Sequence, residues 1–546
     1  MSGSLRDHFP VGATPRAEQA RLLDQLEDAL AEAEQDQAAP RVLALAAPPG
    51  VGKSHLAMTL ARWSGDAYLL TSQKVLQDQY EREFGEELQL VKGRDNYACE
   101  RYADRVVPTS LGMCRRPRGP VCQCPYARAK AAALAGPVFC TNTWYFATLR
   151  RWHAEQLRRR RLLIIDEAHN LESQLVNVDT VRFTITEMKD WFGAPLPHLP
   201  TADDYRNVLA GHAGRMEDER RAVVAELDAL RPPDLDPELF LQMPPSAVEI
   251  ALLERRDALD AALARLHFFI GAREAEWVVR YPTATGAAFE LVPLEVTEHA
   301  RELLTGCAEV VVLSSAYLGP ASVLAESLGL AADAVRGFSV PSPFPVEQRP
   351  ITYRPVGALS RARQAEQEPA LFAEIAAILG AHPRDKGLLH VASYAVARRL
   401  VAELGRTAPV DARRLIYVES SDAKRRALEQ HRASPAPTVL VSPSLREGVD
   451  LPDDFLRFQI VTKMPYGDLG DPWTAARRER DPRWYALETA KALVQTYGRS
   501  CRHAEDFGIT YILDGQFTRF LQHYRPLLPE WFLDAAHAAL GVSQYD

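Results

Sequence analysis

A glycine-rich turn at residues 47–54 could bind the phosphates of a nucleotide. Its sequence is Ala-Pro-Pro-Gly-Val-Gly-Lys-Ser, and it departs from the strict phosphate-loop pattern at Ala47, where that pattern has glycine. An apolar run at residues 41–46 precedes the turn, and a segment with helical spacing at residues 55–63 follows it. Strand, turn and helix in this order are the context that a phosphate loop requires, and they disfavour an accidental glycine-rich turn.

Four residues of this turn have separate expected roles. Gly50 and Gly52 lack side chains, so backbone N–H groups there can approach phosphate oxygens closely. Lys53 is expected to pair with the β- and γ-phosphates, and the Ser54 hydroxyl is expected to bind Mg²⁺. The predicted ligands are therefore ATP and Mg²⁺.

Two carboxylates follow a second apolar run. Residues 162–165 are apolar, and Asp166, Glu167, Ala168 and His169 come directly after them. One carboxylate that holds Mg²⁺ and a second that orients and activates a water are what ATP hydrolysis needs. A capped helix start is the alternative for acidic residues at such a place, but the phosphate loop upstream favours hydrolysis.

Arginines late in the chain could complete this chemistry. The segment at residues 495–502 begins with Gln495 and holds Arg499 and Arg502. The two arginines are three positions apart and would share one face of a helix. Two arginines that reach a bound nucleotide from a second lobe would act as arginine fingers. Taken alone, the same residues also fit a basic, solvated helix face.

These groups need strands to position them. A third apolar run, residues 309–313, ends in the small residues 314–316, so three runs end in small or acidic residues. Such runs are typical of parallel strands whose C-terminal ends line a ligand site. The stretch between the second and third runs has little strand signal and includes a helical run at residues 248–269. A second alternation of strand-like and helix-like segments begins near Arg349.

Length and composition indicate a multidomain protein of the cytoplasm. The 546 residues are too many for one core, and 47% hydrophobic with 25% charged residues is an ordinary globular composition. No apolar run approaches the length of a membrane span, and the first ten residues lack the apolar core of a signal peptide. We therefore expect a cytoplasmic protein, with no membrane partner.

The net charge of −8 is unevenly distributed. Residues 176–300 hold 22 acidic and 12 basic side chains, whereas residues 91–140 hold nine basic and three acidic ones, with Arg115, Arg116 and Arg128 among the basic group. A locally basic segment indicates contact with a phosphate backbone better than the overall charge does, although a solvated surface is an equal alternative. Four further arginines, residues 158–161, precede the second apolar run and are predicted to face solvent.

Five of the seven cysteines lie within residues 99–140. Disulfides would not cluster in this way in a cytosolic protein, so the segment is predicted to bind metal. Five thiols then compete for four ligand places. Cys140 lies in an apolar run that enters a core strand, and a cysteine there is expected to be a small buried hydrophobic residue.

In this order the motifs resemble a superfamily 2 helicase, and further stretches narrow the resemblance to the XPD/DinG family of iron–sulfur helicases. The matching stretches span nearly the whole chain, and Tyr317 stands where motif III usually has threonine. The stretches are Phe9-Pro10 with Arg16 and Gln19 (the adenine-reading segment), 71–76 (motif Ia), 93–99 (entry to the cluster domain), 166–169 (motif II), 314–318 (motif III), 393–394 (motif IV), 446–452 (motif V) and 495–502 followed by Asp506 and Asp514 (motif VI).

The resemblance implies an α/β fold of two RecA-like parallel-sheet lobes, with a small cysteine-rich cluster domain and a mostly helical arch inserted in lobe one. The implied domains are 1–92 (lobe one, with the phosphate loop), 93–137 (cluster domain), 138–176 (lobe one, with the DEAH box), 177–300 (arch), 301–346 (lobe one, with motif III) and 347–546 (lobe two). The implied site residues are Lys53, Asp166, Glu167, His169, Gln495, Arg499 and Arg502 for catalysis, Arg16, Gln19, Gly50, Gly52, Lys53, Ser54 and Asp450 for the nucleotide, and Ser54 and Asp166 for Mg²⁺.

The resemblance also implies a set of cluster ligands. Cys124 precedes a proline and an aromatic residue, as the last ligand does in this family, and the implied set is Cys99, Cys114, Cys122 and Cys124. Whether Cys140 replaces one of these four stays open. Four thiolates can hold a [4Fe–4S] cluster or a tetrahedral zinc ion. Spacing does not decide between the two, and the resemblance favours the iron–sulfur cluster.

The resulting hypothesis is an ATP-dependent DNA helicase that acts as a monomer on single-stranded and forked DNA. It would translocate on one strand, with the 5′→3′ polarity that the family implies, and unwind duplex. One alternative is a translocase or remodeller that moves on DNA without separating its strands. Another is a redox-sensing DNA-binding protein with a degenerate ATPase, which the intact Lys53, Asp166, Glu167, Arg499 and Arg502 disfavour.

Overall fold

The computed structural model describes residues 4–541 apart from short gaps at residues 11, 101, 103–105, 117–122, 233, 237–238, 241–242, 274, 283–287, 361–362, 421–422, 446–450 and 500. Two predicted site residues, Cys122 and Asp450, lie outside the described residues, as does most of the motif V-like stretch.

Helices and strands alternate through most of the chain. The strands are β1 (Val42–Ala46), β2 (Ala67–Thr71), β3 (Gln89–Leu90), β4 (Val138–Asn142), β5 (Arg160–Asp166), β6 (Val181–Thr184), β7 (Trp277–Arg280), β8 (Ala288–Pro293), β9 (Ala308–Ser315), β10 (Val335–Ser339), β11 (Ile351–Tyr353), β12 (Gly387–His390), β13 (Leu415–Tyr417), β14 (Val439–Ser442), β15 (Phe458–Val461) and β16 (Ile509–Ile512). The α-helices are α1 (Ala17–Gln35), α2 (Lys53–Ser64), α3 (Lys74–Phe84), α4 (Pro125–Ala135), α5 (Thr143–Trp152), α6 (Leu171–Asp179), α7 (Ile185–Phe192), α8 (Ala202–Ala229), α9 (Ala247–Gly271), α10 (Thr297–Gly306), α11 (Ala321–Ser327), α12 (Gln364–Ala381), α13 (Tyr394–Thr407), α14 (Pro409–Ala412), α15 (Lys424–Ala433), α16 (Pro472–Arg480), α17 (Pro482–Tyr497), α18 (Gln516–Tyr524) and α19 (Glu530–Leu540).

A seven-stranded sheet forms the first lobe. Its order is β10-β1-β9-β5-β2-β4-β3, and every neighbouring pair is parallel. Ala46 pairs with Ser315, and Asp166 pairs with Ser314, so β1, β9 and β5 end at the same edge. The predicted set of parallel strands is therefore confirmed, and this edge carries the phosphate loop, the paired carboxylates and the motif III-like serines.

A second parallel sheet forms the second lobe, with the order β11-β16-β15-β12-β14-β13. Its strands are apolar and largely buried, as expected for a sheet with helices on both faces. The predicted fold class, two RecA-like lobes with an insertion in the first, is confirmed.

The insertion between β5 and β9 contains a feature that the sequence did not predict. The long helices α8 and α9 pack on a three-stranded antiparallel sheet of order β6-β8-β7. These strands are only four to six residues long, and their charged positions include Arg182 and Arg280, both of which form ion pairs with Glu290. Short strands with charged faces give a weak period-2 signal, which explains why the stretch was predicted to be mostly helical.

Helix α16 of the second lobe contacts both the insertion and the first lobe. The Trp473 indole N–H donates to the carbonyl of Pro293, 2.8 Å away. Arg477 lies 2.8 Å from Glu172 of α6, and the indole N–H of Trp484 donates to the other oxygen of that carboxylate at 2.9 Å. Arg477 and Glu172 are both largely buried, so this is a desolvated contact between the lobes.

The prediction that all four arginines at 158–161 face solvent was wrong for Arg160. Its side chain is fully buried and donates to the carbonyls of Ala133, Leu134, Gly136 and Pro137, at and just after the end of α4. The guanidinium also lies over the ring of Tyr68. A buried arginine is stable here because helix-end carbonyls take up its donors.

None of the helices among the described residues combines the length and the apolar character needed to span a bilayer.

Candidate nucleotide site and cysteine segment

The phosphate loop has the backbone shape that its two glycines were expected to provide. Gly50 and Gly52 have φ values of +82° and +85°, a region that side chains rarely adopt. A Cβ at Gly50 would lie 2.2 Å from the ring of Phe344, and one at Gly52 would lie 2.6 Å from Nε2 of Gln19. Both positions therefore favour glycine on conformational grounds, and Gly50 also on steric grounds because the Arg502 carbonyl lies 3.0 Å from its Cβ position.

The N-terminal segment contacts this loop directly. Arg16 precedes α1 and donates from its guanidinium to the carbonyl of Gly50 at 2.6 Å. Gln19 accepts a hydrogen bond from the backbone N–H of Arg16 at 2.8 Å and donates to the carbonyl of Gly52 at 3.5 Å. The structure therefore brings both predicted nucleotide-binding residues to the phosphate loop.

Lys53 is the first residue of α2, at the positive end of the helix dipole. Its ammonium lies 3.9 Å from Glu167 and donates to the carbonyl of Ala47 at 3.4 Å. A lysine, a helix N-terminus and loop amides together favour an anion at this place.

The paired carboxylates differ in their electrostatics. Burial raises the pKa of Asp166 to about 6, and Glu167 adds to the shift. Burial alone would raise the pKa of Glu167 as well, but Lys53, His169 and Arg499 lower it to about 2. Glu167 therefore stays charged at neutral pH. It also has φ of +54°, an unusual conformation for a residue other than glycine and one that is often found at functional sites.

His169 joins three separate motifs. Its Nδ1 lies 2.8 Å from Oγ of Ser315 and 3.2 Å from the carboxylate of Glu167. The amide nitrogen of Gln495, on α17 of the second lobe, lies 3.3 Å from the same Nδ1 and 3.4 Å from the Ser315 hydroxyl. Residues from β5, β9 and the second lobe therefore meet at one point.

The predicted arginines lie beside the site, but they do not share a helix face as predicted. Helix α17 ends at Tyr497, and Gly498 caps it. A Cβ on Gly498 would lie 2.8 Å from the side chain of Pro49, so the end of α17 packs directly against the phosphate loop. The charge of Arg499 contributes to the low pKa of Glu167. The carbonyl of Arg502 lies 3.0 Å from a Cβ built on Gly50.

The motif III-like stretch makes a second contact between the lobes. The Tyr317 hydroxyl donates to the carbonyl of Leu527 at 2.6 Å, and its ring is buried in the core of the second lobe. Nearby, Leu487 of α17 fills the space beside Gly319. Tyr317, which stands where the family usually has threonine, thus holds the first lobe against the second.

Three of the four implied cluster ligands are described by the structure. Cys99 and Cys124 are buried and Cys114 is partly buried, and both Cys99 and Cys114 lie near the buried hydroxyl of Tyr102. Burial raises the pKa of Tyr102 to about 12. Among the described residues no group of three possible metal ligands lies together, and Cys122 lies outside them. A segment of buried thiols is chemically suited to a four-thiolate group.

Cys140 lies apart from that segment. It is fully buried in β4, and burial raises the pKa of its thiol well above the ordinary value. A thiol that resists ionisation in a core strand is a poor metal ligand. Cys307 and Cys501 are also buried.

Ion pairs neutralise part of the excess positive charge in residues 91–140. Arg115 pairs with Asp257 at 2.6 Å, Arg128 pairs with Glu100 at 2.6 Å, and Arg116 forms a buried ion pair with Glu249. Two of these three partners lie on α9 of the insertion. Arg115 and Arg116 therefore connect the cysteine segment to the insertion. All three arginines are weaker support for a DNA contact than their charge suggested.

Two residues of this site were not predicted from the sequence. Ser315 was noted as part of a small-residue stretch and of the motif III-like stretch, but no role in the site was assigned to it, although its place at the end of a strand could have identified it. Tyr80 of α3, whose hydroxyl donates to Asp166 at 3.0 Å, stands in an ordinary helical pattern that gives no such signal.

Fold and site first define a class. Two RecA-like lobes meet across a phosphate loop, paired carboxylates and two arginines, an arrangement suited to a nucleotide bound between the lobes.

Comparison with known proteins narrows this class. Residues 375–535 match the family described as helicase C-terminal domain. The chain is 27% identical over 287 residues to the ATP-dependent DNA helicase DinG of Photobacterium profundum, a match that covers 49% of this chain and 41% of that protein. It is 24% identical over 457 residues to the ATP-dependent helicase DinG of Mycobacterium tuberculosis, covering 77% and 68%. The first match thus spans less than half the length of that relative.

Solved structures of similar fold agree with these sequence matches. An XPD helicase superposes with a TM-score of 0.61 at 15% identity, covering 98% of this chain and 99% of the other. S. tokodaii Xpd4 gives a TM-score of 0.56 at 15% identity, covering 97% and 99%. At these identities the superpositions show the fold. Together with the sequence matches they confirm the resemblance to XPD/DinG-type superfamily 2 helicases that the motifs indicated.

Proposed function

We propose that this protein is an ATP-dependent DNA helicase that translocates on single-stranded DNA and unwinds forked duplexes. The observation that carries the proposal is the meeting of His169, Ser315 and Gln495, because it joins the hydrolytic carboxylates to a helix of the opposite lobe. If ATP hydrolysis changes the contacts between these three side chains, the position of one lobe relative to the other can change with them.

The phosphate site supplies binding and charge stabilisation. The amides of the Gly50–Gly52 loop and Lys53 would hold the β- and γ-phosphates. Arg16 and Gln19 would contact the adenine, as the family resemblance implies. Ser54 and Asp166 would hold Mg²⁺, which neutralises the charge on the phosphates. The charged Glu167 would orient and activate the attacking water. Arg499 and Arg502 would stabilise the charge that develops on the transferred phosphoryl group.

The lobes are coupled at several separate places. Gln495 and Gly498 contact the site itself, Tyr317 anchors the first lobe in the core of the second, and Arg477 pairs with Glu172. Closure of the cleft around ATP and its opening after hydrolysis would step the protein along one strand. We further propose the 5′→3′ polarity and the domain bounds that the family resemblance implies.

The cysteine segment would hold a [4Fe–4S] cluster through Cys99, Cys114, Cys122 and Cys124. The cluster would supply a rigid cross-link within a segment whose described residues include three short 3₁₀ helices. The segment is also fixed to the insertion by Arg115 and Arg116, so the two parts would form one wall of the DNA path.

The proposal is tested by ATPase and strand-displacement assays on the same forked substrate. ATP hydrolysis should rise when single-stranded DNA is added, and strands should separate only when ATP is present. Hydrolysis that is stimulated by DNA without strand separation would instead identify a translocase. A lack of DNA stimulation together with tight DNA binding would point to a non-motor protein.

A further inference from the structure

The hydroxyl of Tyr80 lies where two predicted Mg²⁺ ligands approach each other. Tyr80 is on α3 and is fully buried, and its ring packs in the same core as Leu56 and Leu60 of α2. Its hydroxyl donates to Oδ2 of Asp166 at 3.0 Å. Burial raises the pKa of this hydroxyl, and the Ser54 side chain lies near enough to lower it. One phenol group thus contacts both candidate ligands.

Asp166 is held through both of its oxygens. Oδ1 accepts a hydrogen bond from the backbone N–H of Glu167 at 3.0 Å, while Oδ2 accepts from Tyr80. These two donors determine how the carboxylate plane is oriented at the end of β5. A carboxylate with this support does not need to reorganise when a cation binds.

The two ligands come from different elements. Ser54 belongs to the first turn of α2, whereas Asp166 is the last residue of β5. Mg²⁺ requires nearly ideal octahedral geometry at short distances, so a small change in the separation of two ligands lowers affinity. The Tyr80 ring fills core space that phenylalanine would fill equally well, and its hydroxyl is therefore not required for packing.

We propose that Tyr80 is a positioning residue for Mg²⁺ in the nucleotide site, and that its hydroxyl keeps the Asp166 carboxylate and the Ser54 hydroxyl at the separation that the ion needs. This inference rests on the proposed function, because that function assigns these two ligands.

The test is the Tyr80→Phe variant, measured by equilibrium binding of a fluorescent, non-hydrolysable ATP analogue with Mg²⁺ and with EDTA. Loss of a residue that supports a metal ligand costs roughly 10–100-fold in metal affinity. We expect the Mg²⁺ concentration at half-maximal binding to rise by about that factor, while the affinity in EDTA changes less than about twofold. The Mg²⁺ dependence of ATP hydrolysis should shift in parallel.

The matched control is Tyr68→Phe. Tyr68 is fully buried in the same lobe, and its hydroxyl donates to the carbonyl of Arg158 at 2.7 Å, at the end of the sheet opposite the phosphate loop. This variant should keep the wild-type Mg²⁺ dependence.

Each other outcome has a definite meaning. Unchanged Mg²⁺ dependence in Tyr80→Phe would overturn the inference and leave the proposed function intact. Equal loss of binding with Mg²⁺ and with EDTA would also overturn it, because Tyr80 would then only support the fold. If the wild-type protein bound the analogue without any effect of Mg²⁺, the proposed function itself would fail.

Discussion

The amide nitrogen of Gln495 lies 3.3 Å from Nδ1 of His169, although the two residues belong to different lobes. His169 is in turn 3.2 Å from Glu167. A side chain of the second lobe is thus two contacts away from the carboxylate proposed to activate water. Substitutions at this site, in the cysteine segment and at the contact between the lobes should change ATP hydrolysis, metal content and stability, respectively.

Lys53→Ala and Glu167→Gln should separate binding from chemistry. Lys53→Ala removes a charged donor to the phosphates and should weaken ATP binding about 10–100-fold. Glu167→Gln should preserve ATP binding and lower kcat about 10²–10⁴-fold, since it removes the carboxylate that activates water. Equilibrium binding and DNA-stimulated ATPase assays measure the two effects. The exposed Lys189 supplies a control, Lys189→Ala, and near-normal turnover in either site variant would contradict the assignment.

Arg499→Ala should lower kcat by at least about 10³-fold while changing KM little, because an arginine finger acts mainly on the transition state. Arg499→Lys should recover only part of the rate, since lysine keeps the charge without the bidentate geometry. Steady-state kinetics with saturating DNA distinguish these cases. Arg425 is exposed on α15, and Arg425→Ala should behave as wild type. Equal kcat values for Arg499→Ala and Arg425→Ala would make Arg499 a surface residue.

Serine substitution should identify the cluster ligands. Anaerobically purified protein is expected to contain about four irons per chain, the content of one [4Fe–4S] centre. Cys99→Ser, Cys114→Ser, Cys122→Ser and Cys124→Ser should each lose iron and unwinding but keep much of the basal ATPase, because the lobes fold around their own sheets. Cys140→Ser should retain iron. Metal analysis that found zinc would defeat the cofactor proposal and leave the motor proposal standing.

Arg477→Ala should destabilise the contact between the lobes by about 3 kcal/mol, because it leaves Glu172 buried with one cation fewer. Burial already raises the pKa of Glu172, and loss of Arg477 raises it further. A carboxyl group whose pKa is higher in the folded state than the unfolded value of 4.5 makes the protein less stable as the pH rises above that value. The variant should therefore lose more stability at pH 7 than at pH 4.

The combined variant Arg477→Ala with Glu172→Gln provides the control for that prediction. It leaves no buried charge without its partner and should be more stable at pH 7 than Arg477→Ala alone. Thermal denaturation midpoints across this pH range measure both. A midpoint for Arg477→Ala that does not depend on pH would show that Glu172 is hydrated in solution.

The sequence predicted this site well where its signals are local. A phosphate loop between a strand and a helix, and acidic or small residues at strand ends, are enough to predict that β1, β5 and β9 are parallel strands that end at one ligand site. Two kinds of feature were not predictable. The geometry around Arg499 depends on Gly498 ending a helix against Pro49, which is a contact between lobes. The burial of Arg160, on β5, depends on carbonyls at and just after the end of α4. Tyr80 was missed for the same reason, because its hydrogen-bond partners are distant in sequence.

The place of β1 in its sheet has a consequence for synthesis. Both of its neighbours, β9 and β10, come after the insertion in the chain. At a translation rate of about 5–20 residues per second, β1 would wait on the order of tens of seconds on the ribosome before either neighbour is made. The phosphate loop thus depends on contacts of high sequence separation, which form slowly. A nascent chain that ends before residue 308 should therefore be unable to bind nucleotide, and its apolar β1 segment should be a target for chaperones.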